Sequence, residues 1–337
     1  MPVERVTSLQ VAKRAGVSQS AVSRVFTKGG SASPATIAKV RRAAAELGYR
    51  PNVLARAMIT GRSRIIGLVV AYLENYLYPA AVEQLSVALQ EQGYHLLVFM
   101  AAPTVDDVDR VTAEIIDYQV DGLILASVSL SSGLAAQCAG HGIPVVQFNR
   151  KGQDPGLSSV TTDNHAGGLA IARHFIACGH RRIGYIAGFE GASTQAAREA
   201  GFLAGLAEAG LTLAARGVGN FKYDEARIAA FEMFAGADRP DAVFVCNDHM
   251  AFAVMDVLRG KLGLRVPEDV AVAGFDGVPV AGWASYDLTT YAQPLAQMVA
   301  ETVKTLLARI EDPAAPARSV ELTGTLIRRG STRKEPA

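Results

Sequence analysis

Cysteine is scarce in this sequence, and long apolar runs are missing. Only Cys138, Cys178 and Cys246 occur, far apart along the chain. Neither a disulfide framework nor a cysteine-based zinc site is therefore expected, and the scarcity fits a reducing compartment. No stretch approaches the roughly 18 apolar residues of a membrane span, and residues 1–11 lack the apolar run of a signal peptide. We therefore expect a cytoplasmic protein without a membrane partner.

Sequence motifs of catalysis and metal binding are also missing. The chain has no G-x-x-x-x-G-K-[ST] phosphate loop, no G-x-S-x-G nucleophile elbow and no H-E-x-x-H zinc motif. None of its six histidines is four residues from another, the spacing at which two would share a helix face. We therefore expect no catalytic residues, no metal site and no cofactor. The sequence favours a binding protein over an enzyme.

Charge is sparse and unevenly distributed. Charged residues make up 19% of the chain, and the net charge is only +1. Residues 1–64 nevertheless contain 12 of the 33 lysines and arginines, but only two of the 32 aspartates and glutamates. A basic segment on an acidic chain is typical of nucleic-acid binding, because neutralising phosphates releases counterions. A basic tail with a solvated face is the alternative that charge alone leaves open.

Helix signals are dense in the first fifty residues. Residues 7–10 form a capping box, Leu9, Ala12 and Ala15 recur at helical spacing, and Gly16 supplies a sharp turn. A second helix follows Ser18, and a third begins at Ser33-Pro34. Two helices joined by a glycine turn predict a helix-turn-helix DNA-binding domain over residues 1–50. A short hinge helix and a linker are predicted over residues 51–64.

Beyond residue 64, short aliphatic runs alternate with helical segments. The runs lie at residues 65–70, 94–100, 122–126, 144–148, 183–187, 242–246 and 270–275. Apolar strands separated by helices predict an α/β fold with parallel sheets covered on both faces. The length of residues 65–337 suggests two such lobes, with small-molecule binding as their function. Ligands of such folds bind beyond the carboxyl ends of the strands, so the cleft between the lobes is the expected site.

Six segments together resemble one known family. They are Val6–Phe26, Gly48–Asn52, Cys178–Gly184, Arg198–Phe202, Cys246–Ala251 and Val266–Asp276. In this order they resemble the lactose-repressor (LacI/GalR) family of bacterial transcription regulators, from residue 6 to about residue 330. The resemblance implies a helix-turn-helix head on a two-lobed body like that of periplasmic binding proteins. It also implies a sequence-specific repressor whose operator affinity is controlled allosterically by a small polar metabolite.

The resemblance places DNA contacts in the head and the hinge. The implied base-reading residues are Gln19, Ser20 and Arg24, and the implied phosphate contacts are Thr7, Ser18 and Ser23. Arginine pairs with guanine, glutamine with adenine, and serine with either base. The implied minor-groove residues are Asn52, Ala55, Arg56 and Met58, with methionine as the apolar wedge where the family has leucine. The alternatives are a solvated helix surface for the base readers and simple helix caps for two of the phosphate contacts.

The resemblance also implies a set of effector contacts. These fall on Leu77, Tyr78, Asn149, Thr194, Arg198, Phe221, Asn247, Asp276 and Gln293. An aromatic face together with amide, guanidinium and carboxylate groups suits a sugar or a sugar derivative. Leu77 and Phe221 could instead be core residues, and Asn247 and Asp276 could be cap or turn residues. For Arg198 the alternative is a structural ion pair.

The expected partners are double-stranded DNA, a small-molecule effector and a second copy of the chain. The resemblance implies pseudo-palindromic operators and therefore a homodimer, formed through residues 65–337, with half-sites about one helical turn apart. Residues 325–337 contain no leucine heptads of the kind that form tetramers in some members of the family, so a dimer is expected. Two other functions stay open: a solute-binding protein of a transport system, and an enzyme with a fused DNA-binding head.

Overall fold

The structure is a computed structural model. The residues it describes are 6–26, 30–50, 62–102, 104–128, 131–152, 154 and 156–332. The chain divides into two compact units, Met1–Ser63 and Arg64–Ala337. The predicted hinge residues Asn52, Ala55, Arg56 and Met58 lie outside the described residues.

The first unit contains three helices around a small apolar core. They are α1 (Ser8–Ala15), α2 (Gln19–Phe26) and α3 (Pro34–Leu47). The predicted capping box is confirmed, because the Thr7 hydroxyl accepts the Gln10 N–H while the Gln10 side chain accepts the Thr7 N–H. Gly16 ends α1 with φ 66°, a left-handed conformation that glycine adopts without strain. Leu9 was expected on the apolar face and is instead 63% exposed.

The first lobe of the second unit is built on a six-stranded parallel sheet. Its strands are β1 (Ile65–Val70), β2 (His95–Met100), β3 (Gly122–Ala126), β4 (Val145–Phe148), β5 (Ser158–Thr162) and β11 (Ser319–Leu322), in the order β11-β5-β4-β3-β1-β2. Its helices are α4 (Leu77–Glu91), α5 (Val105–Asp117), α6 (Ser132–Gly140) and α11 (Leu295–Glu311). Leu85 of α4 and Leu306 of α11 pack on one face of the sheet, and Ile115 of α5 and Cys138 of α6 pack on the other.

The second lobe repeats this architecture. Its strands are β6 (Ile183–Ala187), β7 (Ala215–Val218), β8 (Ala242–Val245), β9 (Ala271–Asp276), β10 (Thr289–Ala292) and β12 (Thr325–Ile327), in the order β12-β10-β9-β8-β6-β7. All pairs are parallel except β10 with β12. Its helices are α7 (Asn164–Ala177), α8 (Ser193–Glu208), α9 (Tyr223–Phe234) and α10 (Asp248–Gly260). The predicted fold, a helical head and a two-lobed α/β body, is confirmed.

Helices α7 and α8 approach each other closely enough to touch through their backbones. A Cβ atom on Gly168 would lie 2.1 Å from the Arg198 carbonyl oxygen, and one on Gly201 would lie 2.0 Å from the His165 carbonyl oxygen. Only glycine permits this approach. The contact brings the backbone of Arg198 directly against α7.

The three cysteines, Cys138, Cys178 and Cys246, are buried thiols that are not joined by disulfides. None of the helices within the described ranges combines the length and the apolar character that crossing a bilayer requires.

Candidate functional site

The exposed face of α2 carries the residues expected to read DNA. Gln19, Ser20, Ser23 and Arg24 are exposed on this helix, while Ala21 and Val22 are buried in the head. The Gln19 amide donates to the Ser8 hydroxyl (2.9 Å), and the Ser18 and Ser20 hydroxyls lie 2.9 Å apart. The Ser18 hydroxyl also accepts the Ala21 N–H, at 3.2 Å, and thereby caps α2. Thr7 and Ser18 therefore both have capping roles and both remain exposed.

Seven of the nine predicted effector residues line one cavity between the two lobes of the body. They are Tyr78, Asn149, Thr194, Arg198, Phe221, Asn247 and Asp276, joined by Tyr72, Asn75, Ser127 and Arg150, which sequence reasoning missed. We call this the inner cavity. Ser127, Asn149 and Asn247 each lie just beyond the carboxyl end of a strand, and Asp276 ends β9. The cavity therefore occupies the position that the α/β fold predicts.

The two remaining predicted residues lie behind the cavity wall. Leu77 is buried in the apolar core of the second lobe. Gln293 accepts the Thr162 hydroxyl proton (2.7 Å) and donates to the Asp276 carboxylate (2.7 Å). Gln293 therefore orients Asp276 from behind and is not part of the cavity lining.

On the first lobe, three side chains form a hydrogen-bonded cluster. The Tyr78 hydroxyl donates to the Ser127 hydroxyl. The Asn149 amide nitrogen donates to Ser127 (3.2 Å) and to Tyr78 (3.3 Å). Asn149 has a left-handed backbone, with φ 67°, a conformation in which asparagine is enriched. Its amide oxygen is buried and has no hydrogen-bond partner among the described residues, so it can accept a hydrogen bond from a ligand hydroxyl.

On the second lobe, Arg198 is held in a fixed orientation. Its guanidinium donates to the Asn164 side-chain oxygen (2.8 Å) and to the Cys246 carbonyl oxygen (2.6 Å). The group also lies 3.7 Å from the centre of the Phe275 ring, and one nitrogen lies 3.7 Å from an Asp276 carboxylate oxygen. A guanidinium fixed in this way presents its free N–H groups to a ligand without first having to be ordered.

Asp276 connects the two lobes. Its carboxylate accepts the Asn75 amide N–H from the first lobe, at 3.0 Å, and its backbone has φ 126°, a conformation that favours glycine. Burial raises the pKa of Asp276, and the neighbouring Arg198 guanidinium opposes that rise. Strained backbone at a buried polar residue is typical of a functional site.

A second carboxylate, Asp248, lies behind Asp276. It accepts the N–H groups of Gly277 (2.8 Å) and Val278 (3.0 Å). Burial raises the pKa of Asp248 to about 8, and the charge of Asp276 contributes to the rise. A protonated Asp248 leaves the cation Arg198 balanced by one anion, which avoids an uncompensated buried charge.

Within the described ranges no three histidine, cysteine, aspartate or glutamate side chains are grouped as metal ligands would be. The cavity combines amide, hydroxyl, guanidinium and carboxylate groups with the Phe221 ring. Such a lining recognises a polar ligand by hydrogen bonds.

Comparison with known families matches both parts of the chain. Residues 9–52 match the family described as bacterial regulatory proteins, lacI family, and residues 172–332 match the periplasmic binding protein-like domain. The HTH-type transcriptional repressor PurR of Vibrio vulnificus is 31% identical, over 97% of this chain and 99% of its own. The HTH-type transcriptional regulator CelR of Thermobifida fusca is 35% identical to this chain, and the alignment covers 96% of this chain and 98% of CelR.

Solved structures agree with these relatives. A transcriptional regulator CelR–cellobiose complex is 32% identical, with a TM-score of 0.73, and covers 97% of this chain and 100% of its own. A Lac repressor dimer bound to operator and the anti-inducer ONPF is 26% identical, with a TM-score of 0.87. The superposition covers 98% of this chain and 100% of the Lac repressor chain. These relatives are transcription regulators, which decides against both the transport and the enzyme alternatives. The chain therefore belongs to the LacI family of DNA-binding bacterial transcription regulators.

Proposed function

We propose that this chain is a homodimeric repressor whose affinity for a pseudo-palindromic operator is controlled by a sugar or sugar derivative in the inner cavity. The observation that carries the effector part is the buried cluster of Asn149, Arg198 and Asp276, which draws on both lobes. These side chains offer paired donors and acceptors to neighbouring hydroxyl groups, and Phe221 offers an aromatic face. The cellobiose complex of the relative CelR supports a sugar as the chemical class.

The size of the inner cavity suggests how the effector acts. The cavity encloses about 10 Å³, roughly the space of one water molecule. A sugar ring would have to separate the lobes and replace Asn75 as the partner of Asp276. A ligand that prefers one lobe arrangement shifts the population toward it, and such coupling between sites is typically worth about 1–3 kcal/mol. In this proposal residues 65–337 sense the effector, and the hinge, residues 51–64, carries the change to the head, residues 1–50.

The effector assignment is tested by replacing Asp276 with asparagine. A thermal-shift screen against sugars and sugar acids first identifies a stabilising ligand, since a ligand at 100 times its Kd adds about 2.7 kcal/mol of apparent stability. Asp276→Asn should abolish that shift and the effector's influence on operator binding, while operator affinity without effector is retained. Asp238→Asn, a change at an exposed carboxylate, is the matched control. An undiminished response of Asp276→Asn would place the effector elsewhere.

For the DNA part, the proposal assigns base reading to Gln19, Ser20 and Arg24 and phosphate contacts to Thr7, Ser18 and Ser23. All six are exposed side chains of the head. Gln19 would exchange its bond to Ser8 for a base edge. The assignment also places Asn52, Ala55, Arg56 and Met58 in the minor groove.

Arg24→Ala tests the base-reading assignment. The substitution should weaken specific binding by about 1–3 kcal/mol and relax the choice of base at one position. Selection from a randomised DNA pool, followed by gel-shift titration, measures both effects. Arg110→Ala, an exposed arginine of the body, should change neither. Unchanged base preferences in Arg24→Ala would contradict the assignment.

A homodimer is supported by the edge of the first sheet. Strand β2 is the outermost strand, and Val98 and Met100 are exposed along it. An open strand edge with apolar side chains favours association with another chain. The Lac repressor structure to which the chain is similar is a dimer on its operator. Analytical ultracentrifugation should show a dimer at micromolar concentration, and Met100→Lys should shift it toward the monomer.

A further inference from the structure

A second cavity, which we call the outer cavity, adjoins the inner one. It encloses about 160 Å³ and is lined by residues of both lobes, including Glu74, Tyr76, His249, Trp283 and Tyr286. Glu74 and Tyr76 flank Asn75 in sequence, and His249 lies two residues beyond Asn247, so the two cavities are neighbours. None of the predicted effector residues lines the outer cavity.

The lining of the outer cavity is mostly aromatic. Tyr76 comes from the first lobe, and Phe252, Trp283 and Tyr286 come from the second, with the rings of Phe252 and Tyr286 packed 4.4 Å apart. Trp283 is 59% exposed. An aromatic side chain left this exposed beside a cavity indicates a contact surface for a ligand, because burying it there removes apolar area from water.

His249 adds a polar group to this aromatic lining. The side chain is buried, and its Nε2 atom has no hydrogen-bond partner within the described ranges. Burial lowers the pKa of His249, which favours the neutral imidazole. A neutral imidazole nitrogen pairs with a hydroxyl group as donor or as acceptor, according to its tautomer. A buried polar atom without a partner is costly, and a ligand hydroxyl would remove that cost.

We propose that the effector has two rings, and that its second ring, a glycosyl residue, binds in the outer cavity against Trp283 and His249. This inference rests on the proposed function, in which the first ring occupies the inner cavity. A cavity of about 150 Å³ holds benzene, and the outer cavity, of similar size, is open to solvent beside the exposed Trp283, so that a bulkier pyranose ring can lie partly within it. The chemistry fits as well, since a pyranose has an apolar C–H face for the aromatic rings and hydroxyl groups for His249. The favoured effector is therefore a disaccharide or a similar glycoside.

The single tryptophan makes the proposal directly measurable. Trp283 is the chain's only tryptophan, so tryptophan fluorescence reports on the surroundings of the outer cavity. The full-length protein is titrated with glucose, galactose, mannose and xylose, and with cellobiose, maltose, lactose and xylobiose. Thermal shift detects binding anywhere in the cleft, while tryptophan emission and its quenching by acrylamide detect binding in the outer cavity. At least one disaccharide should raise Tm, protect Trp283 from acrylamide, and bind at least tenfold more tightly than its component monosaccharides.

Two variants test which residues hold the second ring. Trp283→Ala should raise the Kd of the disaccharide at least tenfold and leave the Kd of its monosaccharides unchanged. Tyr76→Ala should weaken the disaccharide in the same way from the opposite lobe, while Trp283 still reports binding. Tyr118→Ala removes a similarly exposed aromatic ring that does not line the outer cavity and should have no effect.

The outcomes separate this inference from the proposed function. A sugar that raises Tm but changes neither the emission nor the quenching of Trp283, and that binds Trp283→Ala normally, overturns the two-ring proposal and leaves the sugar-controlled repressor intact. Equal affinity for a disaccharide and its monosaccharides also overturns it. If no sugar raises Tm, the proposed effector class fails and the two-ring proposal fails with it.

Discussion

Replacing the buried Asp248 with asparagine should make the protein more stable at neutral and alkaline pH. One carboxylate oxygen accepts two backbone N–H groups, and the other is buried without a partner within the described ranges. An amide keeps the accepting oxygen and cannot ionise. The change therefore removes the cost of a buried negative charge next to Asp276 while preserving the two hydrogen bonds.

The direction of the pH effect follows from the raised pKa. Burial, with help from Asp276, raises the pKa of Asp248 from 3.8 to about 8. Between these values the folded chain holds a proton that the unfolded chain has lost, so the free energy of unfolding falls as pH rises from about 4 to 8. At about 1.4 kcal/mol per pH unit, the shift sets an upper limit of roughly 6 kcal/mol on the loss. Relaxation around the charged carboxylate would reduce this to a few kcal/mol.

Urea unfolding followed by circular dichroism at pH 5, 6, 7, 8 and 9 measures the effect. The difference in free energy of unfolding between Asp248→Asn and the unsubstituted chain should grow by at least 2 kcal/mol in favour of the variant from pH 5 to pH 8. Asp238→Asn changes an exposed carboxylate and should follow the unsubstituted chain at every pH. Parallel pH profiles for Asp248→Asn and the unsubstituted chain would show that Asp248 ionises normally, and the description of the buried charges would then be wrong.

Two further substitutions test the packing and the contact between the lobes. Gly201→Ala would place a Cβ atom 2.0 Å from the His165 carbonyl oxygen and should cost about 1–3 kcal/mol in urea unfolding; Gly236→Ala, with nothing within 4 Å, should stay within about 0.5 kcal/mol. Asn75→Ala removes the donor that reaches Asp276 across the cleft and should lower stability by about 1–3 kcal/mol. It should also speed amide hydrogen exchange beside the cleft; unchanged exchange would show that this bond does not hold the lobes.

Local sequence signals predicted the elements whose stability is local. The capping box at Thr7, the glycine turn at Gly16 and the aliphatic strands of both sheets lie where the sequence places them. Strands β5, β7, β10, β11 and β12 were missed. The clearest case is β5 (Ser158–Thr162), which is polar in composition although it is fully buried. Its side chains are satisfied by distant partners, as in the bonds from Ser159 to Ser319 and from Thr162 to Gln293. Hydropathy carries no signal of such pairing.

The site likewise contains residues that local sequence signals identify and residues that they do not. Asn247 caps α10 by accepting the Met250 N–H at 2.9 Å, and it also lines the inner cavity. The capping and lining roles, which the sequence presents as alternatives, therefore coexist. Asn75 and Ser127 were missed although both follow aliphatic strands, the position where the fold exposes polar residues to a ligand. That position is a usable sequence signal, whereas Trp283 becomes significant only through its neighbours in space.

The strength of the contact between the lobes bears on how tightly an effector must bind. In the part of the chain that the structure describes, side-chain hydrogen bonds from Asn75 to Asp276 (3.0 Å) and from Ser193 to the Lys151 carbonyl oxygen (3.0 Å) join the lobes across the cleft. At about 1 kcal/mol net for each bond, together they stabilise the observed arrangement by about 2 kcal/mol. A ligand that binds only the separated arrangement, present at 100 times its Kd, shifts the balance toward that arrangement by about 2.7 kcal/mol. Such a ligand would therefore offset the loss of both bonds, whereas a ligand that binds both arrangements equally would shift nothing however tightly it binds.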